Sequence, residues 1–202
     1  MTNLTRSALL FLTSVLLPSQ AAAHSFGAGT DQFASFVEGA SVVIFDQVSL
    51  FATLSLGLMI ALWKNRGVIQ ALPLFIAGLA LGFLLAPSVT TWVIMGATVV
   101  GAITATIGAS LNQQYKPLTL ILALFTGLLV QMVSLEGHVW MELSSAIYVG
   151  VTLGAILPVM LGAATGELLL EKLPASFSRI AVRVACSWLA AIQIMMLAFF
   201  SR

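Results

Sequence analysis

Residues 41–63 read SVVIFDQVSLFATLSLGLMIALW, an apolar run in which Asp46 is the only charged residue. A helix needs ~20 predominantly apolar residues to cross the ~30 Å hydrocarbon layer, so this stretch is long enough to span a bilayer. Five more such runs follow, at about 68–87, 89–110, 117–135, 139–163 and 180–200. None shows the period-two alternation of a membrane β-barrel strand. The sequence therefore predicts an all-α integral membrane protein, a six-transmembrane-helix bundle.

Composition agrees. The 202 residues are 60% hydrophobic and 7% charged, with a mean hydropathy of +1.09. Soluble domains carry roughly 25% charged residues, so this surface cannot face water throughout, and an ordinary cytosolic enzyme is excluded. A net charge of +1 with no basic stripe excludes a nucleic-acid binder. The apolar content excludes disorder. Cys186 is the single cysteine, which permits neither an intramolecular disulfide nor a cysteine-based metal site. There is no Walker loop, GxSxG, HExxH or dinucleotide fingerprint, and no facing histidines for haem. The chain does not read as an enzyme, and no resident cofactor is expected.

Outward from the spans, residues 1–23 read as a cleavable signal peptide. Arg6 provides the positive region, Ala8 to Leu17 the apolar core, and Gln20-Ala21-Ala22-Ala23 the small-residue cleavage site. An uncleaved signal anchor is the other reading. Residues 24–40 are then a periplasmic N-terminal segment, and 41–202 the six-helix domain. Cleavage after Ala23 makes His24 the mature terminus, where amine and imidazole can both reach a metal ion or simply be solvated.

Most connections are short, and the one at 164–179 reads as the longest. Lys64, Arg66, Lys116, Lys172, Arg179 and Arg183 fall at one set of span ends, and Arg202 alone at the other. The positive-inside rule puts the six in the cytoplasm and both mature termini in the periplasm, across a bacterial inner membrane. Asp31, Glu38, Asp46, Glu136 and Glu142 fall on the outer side with both histidines, a field that favours cations at the entrance. Glu167 and Glu171 read as part of a solvated cytoplasmic loop.

Gly78/Gly82, Gly150/Gly154 and Gly162/Gly166 have the GxxxG spacing that lets helix backbones meet in lipid, within one bundle or between two copies. Pro158, deep in the fifth run, predicts a kink or break.

Asp46 stands about a turn and a half inside the first run, where an unpaired charge costs several kcal/mol. Gln131 and Glu142 lie at similar depth. His138 and Glu142 are i and i+4, on one face if the fifth helix begins by Gly137. The metal candidates are thus Asp46, Glu136, His138, Glu142 and His24. The competing reading is a polar network that holds three helices in register.

The order of elements resembles the HupE/UreJ family of small membrane proteins. Ala40 to Gln47 lies where that family has a motif like HPxxGxDH and keeps Asp46, with Ala40 and Gln47 in place of histidines. Ala71-Leu72-Pro73 to Gly82 is similar to the family's second span, and Val93 to Gly101 to its third. Ala123-Leu124-Phe125 to Glu136 lies on ALFxxxHGxAHGxE without a gap, keeping Glu136 while Leu129 and Val133 replace two histidines. Tyr148 to Gly162 resembles the fifth span, with Val159 near a histidine position. The resemblance implies a permease for a divalent metal cation, nickel or cobalt, associated with hydrogenase or urease. With the imidazoles gone, the other reading is a non-transporting scaffold or accessory subunit of a metalloenzyme or redox complex. The expected partners are the lipid bilayer, a metal cation, and a membrane protein or a second copy of the chain.

Overall fold

The computed structural model describes residues 31–63, 67–88, 92–111, 115–138 and 141–200. The expected signal peptide and His24 lie outside them. Seven α-helices make up the described chain: α1 (Gln32–Phe45), α2 (Gln47–Ala61), α3 (Gly67–Leu85), α4 (Trp92–Ser110), α5 (Lys116–Ser134), α6 (Ser145–Lys172) and α7 (Ala175–Phe200), with a 3₁₀ turn at Ala86–Ser88 after α3. No strand occurs among the described residues.

Five of these helices are long and apolar enough to cross a membrane. The helices α1 and α2, bent by 75° at Asp46, pass the same test taken together, which makes six spans when the pair is counted as one. The protein is an all-α membrane bundle. Its outer surface is apolar, with Trp92, Phe177, Trp188 and Phe199 at least two-thirds exposed. Such a surface belongs against lipid.

Local sequence sets the boundaries. The Asp31 carboxylate accepts from Phe33 N–H at 3.1 Å and starts α1. Pro117 occupies the first turn of α5, where its missing N–H costs nothing. Pro174 pushes Leu173 out of the helical region (ψ 151°), and α6 stops there.

Small residues decide which helices pair. α3 and α5 run side by side so closely that a Cβ on Gly78 would strike the Leu124 carbonyl. The first span lies along α6 in two places: Gly150 sits on the Phe36 carbonyl, and a Cβ on Gly57 would meet Gly162 Cα at 3.0 Å. α4 and α7 pair through Gly101 and Gly108, which face Gln193 and Cys186. The GxxxG glycines thus serve contacts within one chain, where dispersion between touching backbones replaces the missing hydrophobic drive. Phe75, Leu56, Met59, Val130, Val151 and Val159 fill the core.

Charge separates by end. Asp31, Glu38, Glu136 and Glu142 lie near the start of α1, the end of α5 and the start of α6, and the pairing of α1 with α6 puts these at one end of the bundle. The described basic residues Lys116, Lys172, Arg179 and Arg183 lie near the other, with Glu167 and Glu171.

Several expectations need correction. Residues 32–40 are helical rather than a segment ahead of the first span. The loop expected at 164–179 shrinks to Leu173 and Pro174, because α6 carries its helical pattern on to Lys172; Glu167 and Glu171 are exposed on that helix. α6 starts at Ser145 rather than 139, since Met141 has φ 64° and Ser144 is extended. His138 and Glu142 therefore do not share a helical face. Pro158 is buried inside a continuous α6, and the break falls at Asp46 instead.

Candidate functional site at the break in the first span

Asp46 ends one helix and begins the next. Its N–H donates to Val42 O at 3.1 Å, closing α1, while its own carbonyl accepts from Leu50 N–H at 2.9 Å, opening α2. Its φ −75°, ψ 115° is extended, and Oδ2 accepts from Ser49 N–H at 2.8 Å. This is the N-cap geometry aspartate favours, because a short carboxylate satisfies an amide that the first helical turn leaves unpaired. The positive end of the α2 dipole faces the carboxylate, which offsets part of the cost of holding charge between apolar helices. Asp46 is half-buried and the adjacent Gln47 is exposed.

Beyond the break, polar side chains continue into the core. Ser49 is fully buried and its hydroxyl has no partner. One turn on, Thr53 Oγ1 donates to Ser49 O at 2.6 Å. Ser55 Oγ donates to Phe51 O at 2.6 Å and accepts from Gln193 Nε2 of α7 at 3.0 Å. Gln193 Nε2 also lies 3.1 Å from Leu189 O, whereas Oε1 has no partner. That oxygen presses on Gly101, where a Cβ would collide with it and with Ala52. α2, α4 and α7 thus meet at one level around a glycine, an alanine and a glutamine amide. Each unsatisfied buried polar atom costs ~1–3 kcal/mol, so the cluster is maintained against a penalty.

Around the break, packing is apolar. Val48, Ala97 and Val133 are buried together, with Ile94, Leu129 and Met196 against them. Leu129 and Val133 close this part of the bundle.

The other described metal candidates, Glu136, His138 and Glu142, lie in the connection between α5 and α6. Glu136 and His138 sit in a turn after α5, which Gly137 permits with φ 82°. His138 Nδ1 lies 3.1 Å from Glu136 O, and its N–H donates to Leu135 O at 3.2 Å. Glu142 is exposed in the connection to α6. Among the described residues, no three His, Cys, Asp or Glu side chains come together in a group fit to hold a metal ion. Among the described candidates, Asp46 is the one placed at a break between two helices.

In the sequence Asp46 stands out by its charge, whereas Ser49, Thr53 and Ser55 do not. Their signal is spacing: 49 and 53 are i and i+4 on a helix otherwise apolar. The pairs Ala52/Met59, Gly101/Gly108 and Cys186/Gln193 are each seven apart, matching the three helices that meet there. No family model, curated protein or solved structure matches the chain.

Proposed function

We propose that the protein is a membrane permease for a divalent cation, taken up through the break at Asp46. The observation that carries this reading is a carboxylate at the junction of two half-helices, followed inward by buried hydroxyl and amide groups. Discontinuous helices offer carbonyls at a half-helix C-terminus to a cation, and here the end of α1 meets Asp46. The acidic end of the bundle draws cations toward this side. By the positive-inside rule that end faces the periplasm and the Lys/Arg end the cytoplasm, in a bacterial inner membrane. The HupE/UreJ resemblance names nickel or cobalt as cargo. The donors at the break are oxygens, which also suit manganese and magnesium.

A non-transporting scaffold is the second reading, favoured by the apolar packing of Val48, Ala97, Leu129 and Val133 beside the break. Uptake by sealed proteoliposomes separates the two. Wild-type protein should accumulate at least one of nickel, cobalt, manganese and magnesium. Asp46→Asn, which keeps a capping oxygen but removes the charge, should abolish that uptake without altering thermal stability. Failure to take up any of the four sinks the permease, and pull-down in mild detergent then becomes the route to a scaffold's partner.

A further inference from the structure

Arg183 stands at a step in the bundle's basic end. α4 and α7 run antiparallel, Gly101 facing Gln193 and Gly108 facing Cys186, which brings the last residues of α4 to the level of Arg183. α7 starts at Ala175, so at 1.5 Å per residue it overhangs the end of α4 by ~12 Å. A notch of about 290 Å³ lies at this step, lined by Ala109, Ile180, Arg183, Val184 and Ser187.

Arg183 brings a full positive charge to the lining. Its Nε donates to Ala109 O at 2.7 Å and Nη2 to Ser110 O at 3.2 Å, the second bond at the surface. Both acceptors are neutral carbonyls, so these bonds orient the guanidinium without cancelling its charge. Arg179, one turn toward the basic end on the same face of α7, is exposed. The acids of this end, Glu167 and Glu171, belong to α6. That helix packs through Leu169 and Leu170 on the Val182 and Cys186 side of α7. At about 100° per residue, Ile180 and Ser187 lie on the other side.

The apolar part of the notch selects a lipid over a free anion. Ile180, Val184 and Trp188 are exposed and form a stripe that runs from the notch toward the middle of the bilayer. An acyl chain can lie on that stripe, whereas free phosphate gains nothing from it. Ser187 adds a hydroxyl one turn deeper than Arg183, on the side where a phospholipid carries its ester carbonyls. The head group is selected by charge. A zwitterionic lipid sets an ammonium beside its phosphate, which Arg179 repels, while an anionic lipid does not. Basic pockets between transmembrane helices suit anionic head groups for this reason.

We infer that the notch between the end of α4 and α7 binds an anionic phospholipid. Its phosphate lies on Arg183 with Arg179 one turn outward, an ester carbonyl accepts from the Ser187 hydroxyl, and one chain follows Val184 and Trp188. This site is away from the break at Asp46 and does not depend on cation transport.

The test uses full-length protein in mild detergent, offered dioleoylphosphatidylglycerol or dioleoylphosphatidylcholine, with retained lipid counted per chain by native mass spectrometry. The wild type should retain the phosphatidylglycerol at least fivefold over the phosphatidylcholine. Arg183→Gln, which keeps an amide donor for the α4 carbonyls, should lose that preference. Ile180→Glu, which leaves Arg183 in place and sets a carboxylate at the notch, should lose it too. Lys172→Gln removes a charge from the same end of the bundle but from α6, and should keep it. Equal retention of the two lipids by the wild type overturns the inference, and that comparison needs no variant to fold. An undiminished preference in either notch variant overturns it as well. So does an equal loss in Lys172→Gln, which would make the preference a property of the whole basic end. Displacement of the lipid by inorganic phosphate would make the notch a free-anion site and overturn it also.

Discussion

Asp46 combines a structural and a chemical task, and two substitutions pull them apart. Asp46→Ala removes the oxygen that accepts from Ser49 N–H. It should cost ~0.5–2 kcal/mol, the usual value of an N-cap, read as a lower thermal midpoint in detergent. Asp46→Asn should stay near the wild-type midpoint, because asparagine caps as well as aspartate. At the opposite end of the bundle, Arg183 Nε donates to Ala109 O at 2.7 Å and Nη2 to Ser110 O at 3.2 Å, covering the last carbonyls of α4. A cation there also complements the helix dipole. Arg183→Met keeps the aliphatic stem and should cost ~0.3–1 kcal/mol, with Arg183→Lys intermediate in the same melting experiment. Asp46 stood out in the sequence because charge inside an apolar run is rare. Its capping role did not, since Asp-Gln within a hydrophobic stretch reads equally as a buried pair.

Elements here are held by close approach, and the meeting of α2, α4 and α7 at Gly101 is the sharpest case. Gly101→Ala places a methyl against Gln193 Oε1 and Ala52. Overpacking of this kind costs ~1–3 kcal/mol. Combining it with Gln193→Ala should recover part of the loss, giving a coupling of ~0.5–3 kcal/mol in a double-mutant cycle. Additivity would mean the glutamine is not what the methyl meets. Hydrophobic runs were enough to place the spans, because a helix in lipid must be long and apolar whatever it packs against. Their ends were less legible. α6 overran its expected end by nine residues, from 163 to 172, because Glu167 and Glu171 are compatible with a helix leaving the membrane. The break at Asp46 rather than Pro158 was hidden for a related reason: the substituted ring is tolerated where neighbours pack closely, and Pro158 is buried against them.

The whole molecule has an acidic end and a basic end, which yields an orientation test. In a Cys186→Ser background, Glu142→Cys and Lys172→Cys should react with a membrane-impermeant maleimide from opposite sides of intact vesicles, Lys172→Cys from the cytoplasmic side. Both positions are exposed, whereas Cys186 is fully buried. Labelling of both from one side would break the six-span topology. The pairing of helices also bears on biogenesis. Gly39 waits for Ile147, and Gly57 for Val159, each partner lying about a hundred residues later in the chain, so at ribosomal speeds of ~5–20 residues per second the glycine face of the first span lacks its partner for roughly 5–20 s. During that interval α4 reaches Ala52 through Gly101, but the glycine face turned to α6 has no companion from its own chain. That interval is the one in which two newborn chains can zip together through the surfaces that each will later turn inward.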